Sequence, residues 1–416
     1  LRNLTLLSLA NYGTVGLFDE VTDGGVIRNL HLENLDLTGG ADVGGLVGLL
    51  QDSTLSNCTV SGSVKTEHDS GMLGGLVCQA TNSRIEDCRN YVALSGTDST
   101  GGIVAQASNC TLERVYNYAD ISETGGYGAG GIVGYLSNGG SISQAVNCGT
   151  VSSKSVYNTG GIVGRISSSS SSTNKVTALD QCTNLGAVSG GSSMASAGGI
   201  VGAAECGTDA VVNITNSVNS GRVYLSTAGK IGGILGQFYD GTLTVKNCAN
   251  TGQLHFAKVS SDKYAGGVVG YIMYSNAVLV VENCYVTGFP TMTGSNYATE
   301  QSEIFGRLYG GSQYNIDRTF TNCYSNAAST YVDKNKQPCT YVSNMNQQEF
   351  ADTLNANIEG QEGLLAWQLD GEVNGGYPIL VWQKLAEGQS EHTLEKTTVV
   401  APTCTEQGYT IYTCTA

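Results

Sequence analysis

Charge is scarce in this chain, and basic charge scarcest. Of 416 residues only 13% are charged, with 20 Lys and Arg against 35 Asp and Glu, a formal net charge of −15. Nucleic acid and anionic membrane surfaces both require basic patches, so neither is expected as a partner. No apolar run approaches the roughly 18 residues of a membrane span, so no membrane insertion is expected. No signal peptide is present, and the first residue is Leu1 rather than Met, which points to a processed form or a fragment. Low charge beside a hydrophobic fraction of 40% is not the composition of a disordered chain. Proline is rare, 4 residues, whereas glycine is abundant, 57.

The glycines are ordered. The stretch "GGLVGLLQDSTLSNCTVSGSV" (44–64) returns as "GGLVCQATNSRIEDCRNYVAL" (74–94), "GGIVAQASNCTLERVYNYADI" (101–121) and "GGIVGYLSNGGSISQAVNCGTV" (130–151). Further copies begin at Gly160, Gly198, Gly232 and Gly266, so successive glycine pairs are 30, 27, 29, 30, 38, 34 and 34 residues apart. "IRNLHLENLDL" (27–37) is an early copy without the glycine box, and 303–326 is a degenerate one. Each unit holds three short runs rich in β-branched residues, and none has helical periodicity. Tandem units of this size predict an all-β fold, a right-handed parallel β-helix of about ten three-stranded coils over residues 1–330. At the sheet spacing of about 4.8 Å such a rod is about 50 Å long.

In such a stack each repeat position becomes a column. Leu30, Cys58, Cys88, Val115, Ala145, Cys182, Ser217, Cys248, Cys284 and Cys323 form one, all small or apolar, which predicts buried free thiols. Vertical neighbours are too far apart at Cβ for an ordinary disulfide, and one column cannot converge four zinc ligands. Asn90, Asn117, Asn147, Asn184, Asn219 and Asn250 form another, expected to be a turn-forming ladder of stacked amides in left-handed conformation. The paired glycines are expected to supply positive-φ bends. The third glycine of the box (Gly48, replaced by Cys78 and Ala105) is expected to point inward between Leu46 and Leu50.

The "GG[LIV]VG…[IVL]xNC…xGxV" unit resembles the GLUG motif of bacterial cell-surface proteins, across about residues 15–326. Residues 354–380 resemble a segment that closes such arrays, and Trp367, Tyr377 and Trp382 are expected to cap the last coil within a segment 331–385. Residues 386–416 read as a linker and the truncated start of a small Cys-containing repeat of gut Firmicutes surface proteins. There Cys404 and Cys414 stand open between a disulfide and metal binding with partners beyond residue 416. The resemblance implies an extracellular, cell-wall-associated or secreted protein, a monomeric part of a larger surface protein. It implies no enzymatic activity, because the repeat is an architectural part of adhesins and of some surface proteases. The zinc motif of those proteases, HExxH, is absent, and His31, His68, His255 and His392 are scattered over different units.

Two candidate sites follow. Strict alternation past the glycine box turns one column outward: Leu49, Gln79, Gln106, Tyr135, Arg165, Ala203, Gln237, Tyr271 and Arg307. Its Gln, Tyr and Arg members suit stacking on and hydrogen bonding to sugars, or anchoring a protein. Alternation also turns Val47, Val77, Val104, Val133, Val163, Val201, Leu235 and Val269 outward, as an apolar stripe beside it. The second candidate is acidic: Asp42, Asp69, Asp98 and Glu123 precede their glycine pairs by 2, 5, 3 and 7 residues. They read as solvated loop acids, with weak calcium binding or an acid/base pair as the functional alternatives. No EF-hand, P-loop or GxSxG pattern occurs. The serine run within 166–178 reads as a flexible surface loop. The leading expectation is a non-catalytic adhesin- or stalk-type rod binding glycan or host glycoprotein. A polysaccharide-active lyase or hydrolase at the acidic column, and a pure spacer, are the alternatives.

Overall fold

In a computed structural model the described residues are all but 9–12, 41, 155–157, 169–174, 192–194, 228, 257–262, 275, 289, 293–298, 309–316, 328–338, 372, 384–392, 401–408 and 416. Most of the serine run, from residue 169 on, and Cys404 lie outside the described residues.

The chain winds into a parallel β-solenoid of about eight turns, against about ten expected. Three sheets run along it, of 27, 10 and 7 strands. The 27-stranded sheet takes three short runs from each coil, such as Val77–Thr81, Arg84–Glu86 and Arg89–Asn90. In the next two coils these fuse into single bent strands, Val104–Asn117 and Val133–Asn147. The ten-stranded sheet lies just before the glycine box and the seven-stranded sheet follows the Asn column. The seven-stranded sheet starts only at Leu94–Gly96; before it, His31–Gly39 and Thr59–Thr66 pair within the large sheet. The first coils therefore lack a strand in the third sheet.

The thiol column is in register, Val115 on Ala145 and Ala145 on Cys182, and Cys58 through Cys323 are buried and unbridged. The Asn column is a continuous ladder. Each Nδ2 donates to the Oδ1 of the next coil at 2.8 Å, from Asn90 through Asn117, Asn147, Asn184 and Asn219 to Asn250. Each also donates to a carbonyl two residues on, Asn147 to Gly149 and Asn184 to Gly186 for instance.

Three expectations need correction. Left-handed conformation belongs to the residue just before the thiol column, as at Asn57, Asp87, Asn216, Asn247 and Asn283, and not to the buried ladder. The glycine pairs do not have positive φ either. They are glycine because the interior leaves no room: a Cβ on Gly131 would sit 2.1 Å from the Gly161 carbonyl and 2.4 Å from Asn147 Cγ. In each middle coil the second glycine abuts that coil's ladder Asn; at Gly45 and Gly267, Val60 and Val286 take the place of Asn. Finally, Val47, Val77 and the rest of that stripe are fully buried core, not surface. Alternation breaks because the chain bends at the second glycine and the residue after it, Gly45–Leu46 and Gly131–Ile132 for instance, so that both Leu46 and Val47 face the core. At the third-glycine position a Cβ on Gly134 would collide with the backbone of Thr100 in the ten-stranded sheet, and one on Gly202 with that of Thr159.

The segment after residue 339 begins on the last coil, where Thr340–Tyr341 pairs with Tyr324–Ser325, and then runs back along the flank of the rod. A helix, Gln348–Asn357, and an antiparallel pair, Trp367–Gln368 with Ile379–Leu380, pack Phe350, Leu354, Trp367 and Trp382 against outward Val218, Ala249, Tyr285 and Tyr324. Left-handed Asn283, Asn247 and Asn216 donate to the carbonyls of Leu354, Leu365 and Gly363. Farther back, Gln383 reaches Thr183 at 3.4 Å. Among the last residues, Thr393–Val400 and Tyr409–Thr415 form an antiparallel hairpin that holds Cys414 in its second strand.

Two measurements test this packing. Gly131→Ala should lower stability by about 3 kcal/mol through overpacking, while Gly371→Ala, with nothing within 4 Å of the added methyl, should leave the urea midpoint unchanged. Burial holds the Cys182 thiol far above its ordinary range and raises Cys206 to about 12. Mapping of maleimide adducts should find exposed Cys148 labelled quickly, and the buried Cys58, Cys88, Cys182, Cys248, Cys284 and Cys323 labelled only on unfolding.

Candidate functional site: a crease along the rod

The bend at the glycine box makes an inner angle between the ten-stranded sheet and the first run of the large sheet. One wall is the expected column, and its register holds from Leu49 to Arg307 without a slip. The other wall is a column two residues before each glycine pair: Asp42, Met72, Ser99, Gly128, Asn158, Ser196, Lys230 and Tyr264. The stacking Gly128–Asn158–Ser196–Lys230–Tyr264 is continuous. Sequence reasoning missed this wall, although its spacing from the box is constant.

The two walls touch. Gln79 Nε2 donates to Asp42 at 3.4 Å, and Ser196 donates to Gln237 Oε1 at 2.7 Å. Cations and tyrosines alternate along the crease. The Arg165 guanidinium lies 5.4 Å from the Tyr127 ring and 5.3 Å from Tyr135. Lys230 Nζ lies 5.9 Å from Tyr271, Tyr264 stacks on Tyr271 at 4.7 Å, and Arg307 sits 5.1 Å from Tyr264. Such pairs add to apolar burial and hold the side chains in fixed poses. Arg165 reaches over Ala203, the smallest residue of its column, to pair with Glu205 at 2.5 Å; Asn158 donates to the same carboxylate.

Not every member of the expected column is open. Leu49, Gln79, Gln106, Tyr135, Arg165 and Arg307 are half-buried, whereas Ala203, Gln237 and Tyr271 are 0%, 3% and 4% exposed. They are outward from the core but covered by the opposite wall, which a one-sheet picture does not foresee.

The four acids do not share one position. Asp42 stands in the ten-stranded sheet, where burial raises its carboxyl and the amide of Met72 partly offsets that. Asp69 is an exposed turn residue and Asp98 a half-buried one. Glu123 ends a strand of the seven-stranded sheet and is fully buried. Among the described residues no group of three or more His, Cys, Asp or Glu is placed to hold a metal ion. Glu123 is nevertheless unusual. Burial, reinforced by Asp98, raises it from an ordinary 4.5 to about 8, although the Ser153 hydroxyl and the amides of Gly126 and Gly128 pull the other way. The folded chain thus keeps a proton that the unfolded chain loses above about 4.5. Stability should be greatest below that pH and fall until about 8, and Glu123→Gln should flatten this slope in urea titrations run across the range.

Three comparisons bear on this geometry. The GLUG motif profile matches residues 39–65, one unit of the array. "Halomucin" of Haloquadratum walsbyi (strain DSM 16790 / HBSQ001) is 44% identical over 64 residues, which is 15% of this chain and 1% of halomucin. The chain therefore spans a very small part of that relative. A crystal structure from Bacteroides ovatus, provisionally described as an immunoglobulin A1 protease, aligns over 91% of this chain and 92% of its own at 15% identity, with a TM-score of 0.35. No helix among the described residues is long and apolar enough to cross a membrane.

Proposed function

We propose that this chain is a non-catalytic, extracellular binding rod, an adhesin- or stalk-type module that takes glycan or host glycoprotein along its crease. The observation that carries the reading is the unbroken register of the Leu49–Arg307 column, opposed by a second column of polar and aromatic side chains. Tyrosine rings held by flanking cations offer flat apolar faces, and Gln and Asn amides beside them offer donors and acceptors: the pairing that sugars require. The GLUG unit and the halomucin match support an extracellular setting. Binding would be multivalent, since weak contacts repeat coil after coil at one spacing and each bound unit raises the effective concentration of the next.

A glycan array probed with the labelled chain tests this, with calcium and with EDTA. Specific binding is expected under both conditions. Tyr135→Ala should weaken it about tenfold, the loss typical of removing one aromatic anchor. Binding abolished by EDTA alone would move the site to the acidic turns. Binding to no glycan and no glycoprotein would leave the spacer reading.

A further inference from the structure

Within the crease, the stretch around Lys230 differs from the rest in the sign of what it lacks. Arg165 spends its guanidinium on Glu205, yet its Nε is buried without a hydrogen-bond acceptor. Gln237 uses its Oε1 on Ser196, while its Nε2 is buried without one. Lys230 is half-buried, and among the described residues no carboxylate lies within ion-pair distance of its ammonium; the nearest acid to influence it, Glu205, is taken by Arg165. Two coils therefore present donors whose complement is missing, Arg165 on one and Lys230 with Gln237 on the next but one, with the Tyr264–Tyr271 stack closing the far side. A buried donor without an acceptor, and a cation drawn out of water without an anion, are both costly. An oxyanion held at the half-buried Lys230 ammonium would remove the second of these costs.

We infer that the crease between Arg165 and Tyr271 is a subsite for an acidic glycan, with the half-buried Lys230 ammonium as the counter-charge to its oxyanion. This rests on the crease being the binding face. It adds the ligand's charge. The net charge of −15 strengthens the point, because the rest of the surface repels acidic polymers, and one cationic stretch then sets where they sit. Burial holds the Lys230 ammonium below its ordinary pKa, so an anionic partner would also restore its proton affinity.

The probes are oligogalacturonate with its full methyl ester, and dextran sulfate with unmodified dextran, titrated calorimetrically against the whole chain. Each pair shares one sugar backbone and differs in whether its substituents are charged, and the two pairs separate a carboxylate from a sulfate ligand. At least tenfold tighter binding of one acidic probe than of its neutral twin, weakening as salt rises, is the expected result. Lys230→Gln should abolish that preference and Lys230→Arg should keep it, with both variants melting as the parent does. Ser63→Ala, far along the rod, controls for general handling effects. Equal binding of the charged and neutral twins would overturn the acidic subsite and leave the glycan-binding reading standing. Array binding to neutral glycans alone would do the same. Binding to no glycan in either experiment would overturn both. Acid preference that survives Lys230→Gln would place the oxyanion elsewhere and overturn this site.

Discussion

Everything in this molecule depends on one coil lying directly on the next at strand spacing. That contact admits only side chains that tolerate an identical neighbour above and below. The Asn ladder meets the condition well, because an amide is both donor and acceptor and can satisfy its copy in either direction. Its counterpart is the second glycine of the box, whose missing Cβ provides the space the amide occupies. Neither residue type explains itself alone. Asn without the glycine has no room, and glycine without Asn or Val leaves a void, which close-packed interiors do not keep.

This interdependence explains why the architecture was legible. The spacing of glycine pairs predicts coils, and the columns drawn from it match the observed register for the thiols, for the ladder and for the whole Leu49–Arg307 wall. Inference failed where geometry departs from a flat strand. Alternation carried through "GGLVG" sends Val47 outward, but the bend at Gly45–Leu46 brings it into the core, and its equivalents in the later copies are core as well. Positive φ was assigned to the glycines, although Asn and Asp one residue before the thiols carry it.

The site was half legible for a related reason. A single column can be read from repeats, but which two columns face each other depends on the angle between sheets, and no residue spacing encodes that angle. The wall with Lys230 and Tyr264 was therefore missed, and Gln237 and Tyr271 proved covered where open surface was expected. The flanking segment carried an unread signal as well. Outward Val218, Ala249, Tyr285 and Tyr324 are too apolar for solvent and mark a face that something covers.

That segment changes the mechanical character of the rod. A solenoid coil touches only its two neighbours, so tension along the axis can peel coils away one at a time. From Thr183 to Tyr324, however, a single length of chain is fastened to successive coils through Gln383, Asn216, Asn247, Asn283 and the aromatic cluster. It acts as a splint. Under load the coils before it would give way stepwise, whereas the splinted half would hold its length until the fastening fails as a unit.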